Sequence, residues 1–581
     1  MMKRVPSIFA FIFCGGIVLF LLAFNSIGRQ DKNYPQDYFR SPVDTEIRLS
    51  GTFGELRPNH LHAGIDIKAW NGKTGQSIYS VADGYISRIK VQTGGYGNVL
   101  YINHPNGYTS VYAHLQNFPE EVAAYVKRAQ YRKQSFAIEL FPKADRFPLK
   151  KGDIIGQMGL SGRSFGPHLH FEIRDTKTEK PINPLLFGFQ ARDQIPPKLH
   201  GVKVYYLNEK QETYQSQQHQ LIKKKGGYRI KGDTLLIGAW RAGFALKAYD
   251  HMNKTPNWNG IYALSMFQDD VPVYEFAMET FAFSESRYIN AHLDYAEQVA
   301  KKSYFNRCYA LPGNKLSIYQ TVQEKGVIKL HRNKASKITM IAKDVAGNES
   351  ELTFWVRRDE VKAPKNVVYN YQLPYQEENI IETDDLYLYF PKGTLYENLY
   401  LRYQRSKEQS NNVYSAVHHV HDFQTPVHRY FDLAIRPGTI PDSLKDKAFV
   451  AYCDPKNRIQ SCGGQWNEGR LEAKVRDLGD YYIMLDTKAP KIKPVRFRSN
   501  MNGYSKMTFK ITDDIKTARN VEQLYYEATI DGQWVLLEFD AKNDLLTHRF
   551  DEQTGPGTHE FRLIVSDHRG NETVFERTFR R

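Results

Sequence analysis

Three short stretches of the chain concentrate side chains that bind metal ions and move protons. Pro58-Asn59-His60-Leu61-His62-Ala63-Gly64-Ile65-Asp66 holds a His-x-x-x-Asp pattern, Gly166-Pro167-His168-Leu169-His170-Phe171-Glu172 holds His-x-His, and Val111-Tyr112-Ala113-His114-Leu115 places another histidine between them. No pair of cysteines has the close C-x-x-C spacing of a thiolate zinc site, so any metal must be held by imidazole and carboxylate. Three protein ligands with a fourth position left to water is the arrangement of a catalytic zinc, and His62, Asp66 and His170 fit the three places. His114 and His168 then remain to take the proton of an attacking water and to hydrogen-bond the oxygen that becomes negative. Which of the two is the base stays open.

Such roles dictate the elements that carry them. In a straight strand, residues four apart lie about 13 Å from each other, too far to share one ion, so the chain between His62 and Asp66 must bend, and Gly64 permits the bend. In His-x-His a strand puts both imidazoles on one face, about 6–7 Å apart, with Leu169, Phe171 and Ile173 on the other. From Ser50 to about Phe187 glycines recur at a density that marks tight turns between short strands. Pro119 to Leu149 interrupts that texture with helix-compatible residues and reads as an insertion at about 119–149.

Leu61-His62-Ala63-Gly64-Ile65-Asp66-Ile67, Ala82-Asp83-Gly84, Gly95-Tyr96-Gly97-Asn98, Tyr112-Ala113-His114-Leu115 and Gly159-Leu160-Ser161-Gly162 leading into Gly166-Pro167-His168-Leu169-His170-Phe171-Glu172 together resemble the lysostaphin-type zinc metalloendopeptidases. The resemblance implies a glycine-rich antiparallel β-sheet peptidase domain over residues 40–190. It also implies Zn2+ on His62, Asp66 and His170, His114 and His168 as the catalytic pair, and peptide bonds of peptidoglycan as substrate. The insertion after His114 departs from the short connection usual in that family. The alternative is a peptidoglycan-binding scaffold on the same fold, or an activator of another wall hydrolase; relatives of that kind typically lack zinc ligands, and here all five positions are filled.

The rest of the chain is larger than this domain. At 581 residues it has room for roughly four domains, and its Tyr-rich aromatic content favours strands over helical bundles. Asp344-Val345-Ala346-Gly347-Asn348-Glu349 and Asp567-His568-Arg569-Gly570-Asn571-Glu572 share D-x-x-G-N-E between alternating runs, a hairpin signal. Their aspartates suit calcium, but the turn needs no ion and is read as a turn. With breaks at Pro196-Pro197, Ala363-Pro364 and Ala489-Pro490, the tail reads as two to three Ig-like β-sandwich modules: 195–362 with an excursion near Ser284 to Asn306, 363–487 and 488–581. The expected fold class is therefore mostly β. Met1 to about residue 28, cationic and then apolar, reads as a signal peptide or an N-terminal membrane anchor, which places the remainder in the cell envelope, most simply the periplasm. A net charge of +15 suits anionic wall polymer, whereas nucleic acid conflicts with export. Envelope proteins are expected to meet the sandwich modules, and Cys453 and Cys462, nine residues apart, suit a local disulfide.

Overall fold

Alternation in Leu169, Phe171 and Ile173 against His168, His170, Glu172 and Arg174 makes a strand with one apolar and one chemical face, and this strand lies at the centre of the N-terminal sheet. The computed structural model describes residues 34–232, 234–361, 368–407 and 412–581. The expected export segment at 1–28 and the Ala363-Pro364 break lie outside the described residues.

The sheet comprises β1 (Leu49–Gly51), β2 (Ile65–Lys68), β3 (Gly84–Val91), β4 (Val99–Asn103), β5 (Tyr108–Ala113), β6 (Ile138–Leu140), β7 (Pro148–Leu149), β8 (His168–Asp175) and β9 (Pro181–Ile182). Its main order is β1-β2-β8-β5-β4-β3-β6, every neighbouring pair antiparallel, with β7 also on β3 and β9 on β8. Leu169, Phe171 and Ile173 are fully buried, each contributing roughly 1.5–3 kcal/mol by leaving water. That rigid layer fixes the opposite face of β8, where the chemistry sits.

The insertion is built into this scaffold. Helix α1 (Glu120–Lys133) carries Glu120 and Glu121 in its first turn and Arg132 and Lys133 in its last, matching the helix dipole at both ends. The following β6 and β7 extend the sheet through β3. From α1, Lys127 pairs with Asp551 at 2.9 Å and with Glu552 at 3.2 Å, and the Tyr131 hydroxyl donates to Asp551 at 2.7 Å, so the helix docks on the C-terminal end of the chain.

Strands dominate the tail as well. Those of 198–358 follow one hydrogen-bonded path, joined by the long strand Thr213–Lys224, which pairs with Lys198–Leu207 along one part and Gly227–Ile230 along the other. Five- and six-stranded sheets follow, sharing a core that includes Leu388, Phe431, Val450 and Ile483. Last come two four-stranded sheets around Met507, Phe509, Leu546 and Leu563. Both D-x-x-G-N segments close hairpins: Lys343 pairs with Glu349, and Ser566 with Glu572.

The expected disulfide is corrected. Cys453 pairs across its hairpin with Ile459, whereas Cys462 is level with Val450, and no bond joins the two. Three residue steps along a ladder separate them by about 10 Å, beyond the Cα separation a disulfide spans.

Candidate metal centre

The bend between His62 and Asp66 is forced by close packing. A Cβ on Gly64 would lie 2.3 Å from the Phe171 carbonyl oxygen and 2.8 Å from Glu172 Cγ, so only glycine lets this segment lie so close against β8. His62 Nε2 comes to 3.0 Å from Asp66 Oδ1. Cross-strand register does the rest, since His170 on β8 is directly opposite Asp66 on β2. His170 Nδ1 is 2.9 Å from Asp66 Oδ1 and 2.9 Å from His62 Nε2. All three side chains are buried.

Each donor is held from behind. The Nδ1–H of His62 donates to the Thr52 carbonyl at 2.8 Å, and the Nε2–H of His170 donates to Glu172 Oε1 at 2.9 Å. Arg57 Nη2 donates to Asp66 Oδ2 at 2.6 Å, leaving Oδ1 for the site. With both outer N–H groups committed, three lone pairs face one another, an arrangement that only a proton or a cation satisfies. Ligands bonded at 2.0–2.1 Å to a tetrahedral ion are separated by about 3.3 Å. The donor set and its spacing therefore fit zinc.

The electrostatics follow from burial and these partners. Burial lowers His62 to about 4, outweighing the pull of Asp66. Burial acts the same way on His170, but hydrogen bonds to Asp66 and Glu172 prevail and lift it to about 9. Burial would raise Asp66; His62, His170 and Arg57 overcome it and hold the carboxyl well below the usual range. Glu172 is likewise raised by burial but drawn down to about 2 by Arg174, whose Nε donates to it at 2.6 Å, and by His170.

His114 and His168 border the same point. Their rings are 4.8 Å apart, the His114 ring is 6.0 Å from that of His170, and His168 Nε2 is 3.7 Å from Asp66 Oδ1. His114 sits at φ +61°, between β5 and Leu115, in a left-handed conformation a histidine rarely adopts. Its Nδ1–H donates to the Ser161 carbonyl at 2.8 Å, and that of His168 to the Gly166 carbonyl at 2.8 Å. Burial, then His170 and His168, lowers His114 to about 3.

All five histidine and aspartate positions named from the sequence thus converge. His60 stays outside the cluster, exposed, with Nδ1 on the Pro58 carbonyl at 3.0 Å. Sequence reasoning assigned no role to Thr52, Arg57, Tyr96 or Glu172. Tyr96 donates its hydroxyl to Glu172, and its ring lies tilted 5.0 Å from the His170 ring. Glu172 alone was readable, as the next residue on the face shared by His168 and His170. The tail also reaches this region: Asn290 Nδ2 donates to Asn59 Oδ1 at 2.9 Å, and Lys542 Nζ to the Ser164 carbonyl at 3.4 Å, in the loop before His168.

Comparison with known proteins agrees with this geometry. Residues 60–131 and 145–184 match Peptidase family M23, and residues 370–486 match the Zu5-like domain. DD-carboxypeptidase/endopeptidase Mpg of Neisseria meningitidis serogroup B is 35% identical over 143 residues, covering 24% of this chain and 26% of its own length. Peptidoglycan DD-endopeptidase ShyC of Vibrio cholerae serotype O1 is 31% identical over 141 residues, 23% of this chain and 26% of its own. Murein hydrolase activator NlpD of Escherichia coli is 32% identical over 143 residues, 25% of this chain and 30% of its own. The chain thus spans only about a quarter to a third of the length of these relatives.

Proposed function

We propose that this chain, which carries a Peptidase family M23 domain, is a zinc-dependent endopeptidase that hydrolyses peptide bonds in peptidoglycan stem peptides or cross-links, in the cell envelope. The observation that carries the reading is the convergence of His62 Nε2, His170 Nδ1 and Asp66 Oδ1 to within 3.0 Å of one another, with the far side of every ligand already bonded. These three residues would hold the metal. When bound, zinc supplies Lewis-acid polarisation of the scissile carbonyl and acidifies water.

The chain's own side chains do the remaining work. Because Nδ1–H of both His114 and His168 is given to a backbone carbonyl, each ring keeps a lone pair on Nε2, that of His168 3.7 Å from Asp66 Oδ1. Either can accept the proton of the attacking water; once protonated, that ring is a donor that steadies the developing oxyanion and returns the proton to the leaving amine. Names of relatives supply the substrate class, since Mpg and ShyC are DD-endopeptidases. NlpD, an activator, supports the second reading of a non-catalytic regulator; the complete five-residue set favours the enzyme. Export rests on the apolar N-terminal segment, and among the described residues no helix is long and apolar enough to cross a membrane.

Digestion of purified muropeptides with and without a zinc chelator, followed by mass analysis, tests the function. New amine termini that appear only without chelator are expected, and their position names the bond; intact muropeptides under both conditions would leave the regulator. Glu172→Gln is expected to weaken zinc binding about 10–100-fold, because the His170 N–H loses its carboxylate and Arg174 its counter-charge. Competition with a chromophoric chelator measures it, and unchanged affinity would remove Glu172 from the support of the centre.

A further inference from the structure

Outside the histidine cluster, three aspartates from distant parts of the chain meet at the junction between the peptidase domain and the first tail module. Asp193 precedes Pro196-Pro197, Asp250 follows the strand Arg241–Tyr249, and Asp344 opens the first D-x-x-G-N turn. One carboxylate oxygen from each lies within 4.8 Å of the other two. They line a cavity of about 610 Å³ together with Thr52 and Phe53 of the peptidase domain. Among the described residues no lysine, arginine or histidine forms an ion pair with any of the three.

The independent sign of a ligand is Asp250. It is 3% exposed, faces Asp193 and Asp344, and its Oδ1 accepts no hydrogen bond from any described group. Burial, reinforced by Asp193 and Asp344, pushes its carboxyl up to about 8, and burial raises Asp193 to about 6. Like charges gathered out of water without a counter-charge are strongly unfavourable unless a proton or a cation joins them.

The last linker holds only a partial counterpart. Asp486 precedes Pro490 and Asp567 opens the second D-x-x-G-N turn, but the third ligand atom within 4.8 Å there belongs to His568, and Asp513, after the strand Lys506–Thr512, stands outside that group. In both modules the first strand begins by pairing with the strand end that carries the second aspartate, Lys198 with Tyr249 and Lys491 with Thr512. In both, the turn asparagine reaches the linker aspartate's carbonyl: Asn348 Nδ2 to Asp193 O at 3.4 Å, and Asn571 Nδ2 to Asp486 O at 2.9 Å. Asp486 Oδ2 and Asp513 Oδ2 are again buried and unpartnered.

We propose that the first linker–module junction binds one calcium ion through Asp193, Asp250 and Asp344; the last junction, with a histidine in its group, lacks the all-oxygen triad. Calcium suits the three aspartates because its 2.3–2.6 Å bonds place ligand oxygens up to about 5 Å apart, and it tolerates irregular all-oxygen shells that magnesium does not. The ion would clamp the module against the peptidase domain beside Thr52, whose carbonyl orients His62 and whose hydroxyl donates to the Gly260 carbonyl at 3.3 Å.

Calorimetric titration of the zinc-loaded full chain with CaCl2, with MgCl2 as control, tests this. One calcium site is expected in the parent, none in Asp250→Asn and one in the control Asp513→Asn, with magnesium at least tenfold weaker. Thermal unfolding adds a readout that a merely structural aspartate does not share. Calcium at 100-fold excess over Kd should raise the parent's Tm by about 5 °C or more. Asp250→Asn should match or exceed the parent's Tm without added calcium yet lose the calcium-dependent gain. If Asp250→Asn does not fold, Asp193→Asn in the linker reads the same loss. No calcium heat in the parent, calcium stoichiometry unchanged in Asp250→Asn, or equal affinity for magnesium would overturn the proposal.

Discussion

His170→Ala is expected to abolish both zinc binding and muropeptide cleavage while leaving the tail modules folded. The imidazole joins both halves of the centre: it meets Asp66 and His62 at 2.9 Å, donates to Glu172 behind it and lies 5.0 Å from the tilted Tyr96 ring. Its removal takes away a donor and also leaves Glu172 buried against Arg174 without its second partner. Metal content by atomic absorption should fall from one equivalent to near zero, and turnover with it. Far-UV circular dichroism and thermal unfolding should show the tail sheets unchanged, because their cores share no residue with the site. Full hydrolytic activity in this variant would refute the metal assignment.

His114→Ala and His168→Ala should behave differently, each keeping zinc and losing turnover on the order of 100-fold or more. Neither ring lies among the three donors that converge, and each has its Nδ1–H on a backbone carbonyl instead, Ser161 and Gly166 respectively. Steady-state rates on muropeptides, set beside metal content for the same preparations, separate the roles. If either variant lost zinc as completely as His170→Ala, ligands and proton carriers would have been sorted wrongly. For His114 the loss should persist in His114→Asn, since an amide fills the space but cannot shuttle a proton at neutral pH.

Much of this centre was legible in the sequence because its signals are local. The period of two in His168-Leu169-His170 puts both rings on one face, and the four-residue span from His62 to Asp66 demands a bend that Gly64 allows. The hairpins at Asp344 and Asp567 were readable for the same reason, as turn residues between alternating runs. The supporting shell was not: Thr52 and Arg57 reach His62 and Asp66 only after the chain folds over β8, and no spacing announces a carbonyl or a guanidinium as a partner. The disulfide failed on register, because proximity in sequence does not set which residues stand opposite in a hairpin.

The sequence by itself determined the chemistry on offer, two imidazole-and-carboxylate motifs and a lone histidine, and the β texture that would present them. Tertiary structure alone decided that the insertion's helix seats on Asp551 and Glu552 of the last module and that Asp193, Asp250 and Asp344 share one cavity. The reason is physical. Periodicity and turn preference act over a few residues and are written in order along the chain, whereas contacts between segments depend on strand register and on which buried charges can find partners. Those are settled only when the sheets pack.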